Sequence, residues 1–233
     1  MISFAGKQFP KGIILMAVRW YVAYSLSYRN IEELMAERNV KVDHSTLNRW
    51  VVEYAPQLEN KFRKRCKSQA NSSWRMDETY LKIKGKNVYL YRAVDKFGKT
   101  VDFILTEKRD KKAALSFFFK AIGQHGFPEK VTLDKSGANK SAIDIINSFL
   151  VLLSIMMKIP FQILVRQIKY LNNIVEQDHR SVKKITKPMM GFKAFHSAKA
   201  TIAGIELHHM LKKGQHKNFG DAPVYEQFYA LVV

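Results

Sequence analysis

The chain of 233 residues has one cysteine, Cys66, so it cannot form an intramolecular disulfide or a metal site built on several cysteines. It also lacks a long apolar run. Residues 145–157 are its most apolar stretch, interrupted by Asn147, Ser148 and Ser154, and a bilayer span needs roughly 20 such residues. The first twelve residues show no apolar signal core with a small-residue cleavage site. We therefore expect a protein of a reducing compartment without a secretory signal.

Acidic residues are scarce relative to basic ones. Lys and Arg number 39 against 20 Asp and Glu, which gives a formal net charge of +19. Such an excess favours nucleic acid or an anionic membrane as partner. The basic residues are spread among predicted strands and turns, so a membrane-surface role is the weaker reading. Apolar residues make up 47% of the chain, enough to bury a core and to exclude wholesale disorder.

Hydrophobic periodicity predicts three helices near the N-terminus. Residues 13–28 are apolar on most sides, and residues 28–38 carry an apolar face. The turn NVKVDH follows, and a third helix is predicted to start near Ser45, with Asp43 or Ser45 as its N-cap. Pro56 is expected to close this helical region.

The third helix places apolar residues on its inner face and polar residues outside. Leu47, Trp50 and Val51 follow i, i+3, i+4 spacing and should face the core. This pattern predicts a helix-turn-helix whose recognition helix presents polar side chains to the major groove. A small helical bundle would show the same spacing and stays the alternative. The predicted DNA-contact residues are His44, Thr46, Asn48 and Arg49.

A basic run, KFRKRCK, follows this region. We expect it to lie along the DNA backbone and to add affinity without sequence information, although a solvated linker or helix face is the ordinary fate of a charge run. Its candidate contact residues are Lys61, Arg63, Lys64, Arg65 and Lys67. The polar stretch 68–73 marks a domain boundary. Residues 1–68 are therefore predicted as a helix-turn-helix domain with a basic linker, and residues 69–233 as a second domain that ends in a C-terminal helix.

The second domain begins with three strand-like runs separated by glycine-containing turns, KGKN and DKFGK, which suit hairpins. Strands and helices then alternate. This order predicts an α/β fold, a mixed sheet flanked by helices. The predicted strands are 74–83, 88–95, 101–107, 130–134 and 161–165, and the predicted helices are 111–124, 139–157 and one from Asn173.

Three carboxylates lie on three of these elements. Asp77 is inside the strand WRMDETYLKI, Asp134 ends KVTLD, and Glu176 is in the helix start YLNNIVEQDHR. Carboxylates from separate elements can converge on Mg²⁺, and two such ions promote in-line displacement at a phosphodiester. Taken singly, Asp77 could be solvent-exposed, Asp134 could start a turn, and Glu176 could form a capping box with Asn173.

The helix that bears Glu176 carries cations on the same face. Arg180 is at i+4 and Lys183 at i+7, so both are predicted to hold phosphates beside the metal site. The alternative for Arg180 is a helical salt bridge to Glu176. The role of His179 beside this face stays open.

Several strings resemble one family. WRMDETYLKIKG, YLYRAVD, VTLDKSGAN, KYLNNIVEQDHRSVKK, HSTLNRWVVEYAP and TIAGIELHHMLKKGQ are similar to DDE-type bacterial insertion-sequence transposases, specifically insertion-sequence family six. The resemblance covers nearly the whole chain. It implies a ribonuclease-H-like catalytic domain, two Mg²⁺ ions for which Mn²⁺ may substitute, and the triad Asp77, Asp134 and Glu176 as catalytic residues and metal ligands.

The resemblance also implies partners and location. The substrates would be double-stranded DNA, namely the terminal inverted repeats of the element and the target DNA. Two DNA ends must meet, so we expect a homodimer or higher oligomer on DNA, in the bacterial cytoplasm at the nucleoid. The interval from Asp134 to Glu176 is longer than is usual in the family. A catalytically inactive repressor derived from a transposase, or a nuclease that does not join ends, are the alternatives.

Overall fold

The computed structural model describes residues 2–65, 72–135, 137–157, 162–189, 191–216 and 220–232. Lys67 and Cys66, together with the predicted boundary up to residue 71, lie outside these ranges. The described helices are α1 (Lys11–Ala23), α2 (Tyr28–Ala36), α3 (His44–Arg65), α4 (Lys111–His125), α5 (Gly137–Met157), α6 (Asn173–Thr186), α7 (Phe195–Lys212) and α8 (Val224–Ala230). The strands are β1 (Ser73–Ile83), β2 (Lys86–Asp95), β3 (Thr100–Thr106), β4 (Lys130–Thr132) and β5 (Leu164–Arg166).

The chain forms two compact units. The helical unit contains residues 1–66, 83–85 and 181–233, and the sheet unit contains residues 67–82 and 86–180. The C-terminal segment, predicted as part of the second domain, thus packs with the N-terminal helices. A sequence-local boundary at residue 68 misses this arrangement because burial joins segments that are far apart along the chain.

Helix α7 forms the centre of the helical unit. It packs against α1, α3 and α8, and most of its residues between Ala198 and Leu211 are buried. A helix covered on nearly all sides carries apolar and small residues around its whole circumference. This explains why the segment TIAGIELHHML shows no amphipathic pattern that could locate its neighbours from sequence.

Helix α3 continues through Pro56, and the prediction that this proline ends the helix is wrong. Proline removes one helical hydrogen bond and crowds the preceding turn. Buried residues lie on both sides of it: Tyr54 and Ala55 before, Leu58 and Phe62 after. Burial of this continuous apolar face outweighs the local cost, so the basic run up to Arg65 forms the last turns of α3.

Helices pack tightly around Gly204 of α7. A Cβ atom there would lie 2.6 Å from Val22 Cγ1 and 2.9 Å from Ala55 Cβ, so neighbouring helices approach to within a methyl group. Replacing Gly204 with Ala should therefore lower the free energy of unfolding by about 1–3 kcal/mol through overpacking. Chemical denaturation followed by circular dichroism measures this change.

Gly12 supplies the matched control, because it lies in α1 of the same unit and a Cβ there would meet nothing within 4 Å. Gly12→Ala should leave stability unchanged or slightly higher, since alanine favours helix. Equal stability of the Gly204→Ala and Gly12→Ala proteins would contradict the packing that the structure shows.

The sheet unit contains a five-stranded sheet in the order β3-β2-β1-β4-β5. Strands β2 and β3 are antiparallel, whereas β4 is parallel to both β1 and β5. This mixed sheet with flanking helices confirms the α/β class that the sequence predicted. Trp74, Met76 and Val131 of the sheet pack with residues of α4 and α5 in one core, so that face of the sheet is covered.

The turns between β1 and β2 and between β2 and β3 lie where the glycines of the sequence predicted them. Lys84 and Gly85 have positive φ angles of 48° and 77° between β1 and β2, and Gly98 has a φ of 78° between β2 and β3. Strand β4 ends at Thr132, two residues before Asp134, and β5 begins at Leu164, later than residue 161. None of the described helices is long and apolar enough to cross a membrane.

Candidate active site

Asp77 and Asp134 come together through the parallel pairing of β1 and β4. Ser73 pairs with Lys130 and Arg75 with Thr132, and the same register continued by two residues places Asp77 level with Asp134. The two side chains and Glu78 offer carboxylate oxygens that all lie within 4.8 Å of one another. The structure thus brings together two of the three predicted carboxylates, which are distant in sequence.

Helix α6 lies against β1 at this point. His179 Nε2 is 3.4 Å from Asp77 Oδ2, and the His179 side chain is 6% exposed. Just before the helix, Asn172 Nδ2 donates to the Met76 carbonyl at 3.5 Å. Both contacts hold the start of α6 beside the strand that carries Asp77. Since Glu176 precedes His179 by three residues, both side chains lie on the same helix face.

Glu176 itself is exposed and is not a member of the Asp77, Glu78 and Asp134 group. Among the described residues it makes no capping hydrogen bond to the Asn173 amide and no ion pair with Arg180. The capping-box reading, which was a serious alternative for Glu176 alone, is therefore not what the described contacts show. Glu176 has no side-chain partner in the described part of the chain, and it lies about one helical turn before His179, the α6 residue that contacts Asp77.

A buried ion pair anchors the same helix from another strand. Arg92 of β2 is fully buried, and its Nη2 lies 2.7 Å from Asp178 Oδ2, whose side chain is 10% exposed. Asp178 neighbours Glu176 along α6. The pair therefore ties α6 to the sheet next to the proposed third carboxylate.

Glu78 was not among the predicted site residues. Its side chain is only 2% exposed and points to the sheet face covered by α4 and α5. Arg109 Nε lies 3.1 Å from Glu78 Oε1, and Arg109 Nη2 lies 3.1 Å from Asp134 Oδ2. The signal in the sequence was a carboxylate on the strand face shared with Trp74 and Met76, a face that otherwise carries core residues.

The environment of Glu78 changes its acidity. Burial raises the pKa of Glu78 above its ordinary value, while the charge of Arg109 and a hydrogen bond from Asn139 act in the opposite direction. Burial together with the Glu78 charge raises the pKa of the neighbouring Tyr91 hydroxyl beyond its normal range. The Glu78 carboxylate and the Tyr91 hydroxyl thus lie in a poorly solvated region in which charges interact strongly.

The site fits a divalent cation by the chemistry of its donors. Carboxylate oxygens are the ligands that Mg²⁺ and Mn²⁺ prefer. Asp77 and Asp134 supply two such groups on neighbouring strands, with side chains 18% and 35% exposed. These two aspartates are therefore open to a bound ion and to a substrate, whereas Glu78 is enclosed and its Oε1 contacts Arg109.

The predicted recognition residues lie at the start of α3. Asp43 caps this helix, because its Oδ1 accepts the backbone N–H groups of Ser45 at 2.9 Å and Thr46 at 3.0 Å. Hydrogen bonds from the Ser45 and Thr46 hydroxyls are the main reason that the pKa of Asp43 is well below its usual range. The Asp43 carboxylate thus satisfies two backbone N–H groups in the first turn of α3.

Exposure differs among those recognition residues. His44 and Arg49 are exposed, whereas Thr46 and Asn48 are half-buried. Arg49 Nη2 donates to Thr46 Oγ1 at 2.8 Å. His44 and Asn48 also line a cleft of about 740 Å³ within the helical unit. The polar face of α3 is therefore present as predicted, and its contact with DNA stays a prediction.

The basic run at the end of α3 is partly used inside the fold. Arg63 forms an ion pair with Glu59, and Arg65 Nη1 donates to the Ala230 carbonyl at 3.0 Å. Burial lowers the pKa of Lys61, and the positive charges of Arg65 and Lys11 add to this effect. Lys64 is exposed. A cationic surface thus exists here, with Arg63 turned toward Glu59.

The chain is similar to known transposases over almost its whole length. A family model described as a DDE domain matches residues 71–215. Two Staphylococcus aureus proteins are each 41% identical over 230 residues, 97% of this chain and 97% of the relative. They are the transposase for insertion sequence-like element IS431mec (strain Mu50) and the transposase for insertion sequence element IS257 in transposon Tn4003.

A solved structure also resembles part of this chain. The HTLV-2 integrase catalytic core domain in complex with magnesium, in its dimeric form, is 17% identical with a TM-score of 0.42. The match covers 70% of this chain and 97% of that chain.

The family match and the two relatives define the class of protein: this chain is a DDE transposase. Within that class it belongs to insertion-sequence family six, the family of the IS431 and IS257 transposases. The resemblance identified from the sequence is thereby confirmed.

Proposed function

We propose that Asp77, Asp134 and Glu176 form the metal site at which this transposase cuts and joins DNA. The observation that carries the proposal is the meeting of Asp77 and Asp134 on neighbouring strands, with α6 seated on Asp77 through His179. Glu176 is on α6, about one helical turn before His179. A divalent ion would be the shared partner that draws this third carboxylate to the other two.

Two Mg²⁺ ions, for which Mn²⁺ substitutes, would activate a water or a 3′-hydroxyl and stabilise the leaving oxygen of the phosphodiester. The residues of the chain supply positioning. Strands β1 and β4 hold Asp77 and Asp134 on a rigid sheet, and α6 presents Glu176. Arg180 and Lys183, both exposed on the same helix, would hold DNA phosphates next to the carboxylates.

The DNA substrates in this proposal are the terminal inverted repeats of an insertion sequence and a target duplex. The start of α3 would read the repeat in the major groove through His44, Thr46, Asn48 and Arg49. Lys61, Lys64 and Arg65 would add phosphate contacts without sequence information. Joining requires two ends in one complex, so the active form would be at least a homodimer on DNA at the nucleoid.

The test is an assay of cutting and joining. Purified protein is incubated with a labelled duplex that ends in the terminal repeat of its own element and with a plasmid target, in Mg²⁺, Mn²⁺ or EDTA. Metal-dependent 3′-hydroxyl ends and strand-transfer products support the proposal. Binding without cutting would favour a repressor, and cutting without joined products would favour a nuclease.

Arg49→Ala should weaken binding to the terminal repeat about tenfold or more, since one base contact contributes about 1–3 kcal/mol of discrimination. Affinity for unrelated duplex should change much less. Fluorescence anisotropy at several salt concentrations measures both values. Lys96→Ala, which removes an exposed charge from the β2–β3 turn, is the control for loss of charge. An unchanged preference for the repeat would remove Arg49 from the recognition set.

A further inference from the structure

Arg109 connects two carboxylates of different kinds next to the proposed metal site. Its Nε lies 3.1 Å from Oε1 of the enclosed Glu78, and its Nη2 lies 3.1 Å from Oδ2 of the half-exposed Asp134. Two different nitrogens of one planar guanidinium therefore bind two different acids. This geometry depends on the rigid fork of arginine, which a lysine ammonium lacks.

We propose that Arg109 is a positioning residue for Asp134 and that Glu78 is the anchor of Arg109 rather than a metal ligand. This inference rests on the proposed metal site. Arg109 binds Oδ2 of Asp134, which leaves Oδ1, 3.5 Å from Asn139 Nδ2, as the oxygen that would bind the ion. The family match and the sequence motifs assign no role to either Glu78 or Arg109.

Glu78 is suited to anchoring because it is fixed and enclosed. Its side chain is 2% exposed, against 35% for Asp134 and 18% for Asp77. A buried carboxylate requires a cation or hydrogen-bond donors, and Arg109 supplies both. A metal ligand would need at least one oxygen open to the ion and its water shell, and Glu78 is the least accessible acid of the group.

The backbone around Arg109 is also held in place. The next residue, Asp110, caps α4 by accepting the Ala113 backbone N–H at 2.8 Å. Arg109 is thus attached to a helix start at one end and to Glu78 at the other. Such double fixation limits the conformations from which its Nη2 can reach Asp134.

Asn139 of α5 completes the arrangement. It is fully buried, and its Nδ2 lies 3.5 Å from Asp134 Oδ1. Partners that hydrogen-bond a ligating carboxylate orient it, and their removal typically weakens metal binding about 10–100-fold. Arg109, charged and at a shorter distance than Asn139, is expected to account for most of the orientation of Asp134.

The experiment measures Mn²⁺ binding to the full chain without DNA, by electron paramagnetic resonance of the free ion. Arg109→Ala should raise the dissociation constant about tenfold or more, and Arg109→Lys should fall between this variant and wild type. Thermal unfolding in EDTA establishes whether each variant is folded. If Arg109→Ala does not fold, the Mn²⁺ affinity of Arg109→Lys still tests the proposal. Lys108→Ala, an exposed charge in the same loop, should stay within twofold of wild type.

Glu78→Gln tests the anchor. It should weaken Mn²⁺ binding less than Arg109→Ala, and the Glu78→Gln/Arg109→Ala double variant should bind no more weakly than Arg109→Ala alone. That result means Glu78 acts through Arg109. If the effects of Glu78→Gln and Arg109→Ala on the Mn²⁺ dissociation constant instead multiply in the double variant, Glu78 is an independent ligand. Its role as anchor is then wrong.

Asp77→Asn separates this inference from the proposed function. If Asp77→Asn weakens Mn²⁺ binding but folded Arg109→Ala and Arg109→Lys proteins bind as tightly as wild type, the positioning role is wrong and the metal site stands. If Asp77→Asn leaves Mn²⁺ binding unchanged, the metal site itself is wrong, and the positioning role fails with it.

Discussion

Asp77→Asn and Glu176→Gln are each expected to lower strand cleavage and joining by on the order of 10³-fold or more while leaving terminal-repeat binding intact. Metal ligation contributes several kcal/mol of transition-state stabilisation, and about 1.4 kcal/mol corresponds to a factor of ten in rate. Both substitutions preserve side-chain shape and remove only the charge. Initial rates in Mg²⁺ and Mn²⁺, measured beside DNA affinity, test the expectation.

Glu129→Gln is the matched control, because Glu129 is an exposed acid outside the site, and its rate should equal that of wild type. Comparing Asp77→Asn with Glu176→Gln tests the two proposed metal ligands separately. If Asp77→Asn is inactive but Glu176→Gln retains full activity, Glu176 is not the third ligand, and another group must complete the site that Asp77 and Asp134 begin.

Asp178→Ala is expected to lower the free energy of unfolding of the sheet unit by about 3–5 kcal/mol, the usual cost of breaking a buried ion pair from one side. The Arg92 side chain is fully buried, and its Nη2 lies 2.7 Å from Asp178 Oδ2. Without Asp178 this positive charge loses a partner in a region of low polarity. Urea unfolding monitored by circular dichroism measures the loss.

Gln177→Ala is the control for this change, since Gln177 is an exposed neighbour on α6 and its removal should alter stability little. Adding Arg92→Met to Asp178→Ala should recover part of the loss by removing the buried charge that has lost the Asp178 carboxylate. A stability for Asp178→Ala within 1 kcal/mol of wild type would show that the pair does not stabilise α6 against the sheet.

The Arg92–Asp178 pair also bears on the long interval between Asp134 and Glu176. Helix α5 occupies much of this interval, from Gly137 to Met157, and α6 contacts β1 through His179. Exposed apolar residues of α5, such as Phe149 and Ile155, lie in the region where the extra length falls. The start of α6 is thus held by its own contacts with the sheet.

Local patterns predicted much of the secondary structure. Alternating residues and turn glycines placed β1, β2 and β3 to within two residues, because half-buried strands and positive-φ turns leave clear signals. The prediction for Pro56 was wrong because the free-energy cost of a proline inside α3 is smaller than the stabilisation from burying the residues around it. The sequence grouped the C-terminal helix with the second domain, whereas α7 packs with the N-terminal helices; α7 is buried on nearly every side and carries no directional pattern.

The candidate site was likewise predicted only in part from the sequence. Asp77 and Asp134 were identified from sequence because each lies in or directly after an apolar strand, where a carboxylate is unusual. The sequence also allowed a capping box between Glu176 and Asn173, and the described contacts do not include that hydrogen bond. Glu78 and Arg109 were missed because they are distant in sequence and meet only when β1 packs beside the loop before α4.

The amino-acid sequence by itself determined the family, the strand and helix order, the excess of positive charge and the candidate triad. These properties follow from residue identity and short-range periodicity. Only the tertiary structure decided that Asp77 lies level with Asp134, that Arg109 joins Glu78 to Asp134, and that the C-terminal helices complete the N-terminal unit. Such contacts arise from burial and pairing between remote segments, which no local pattern encodes.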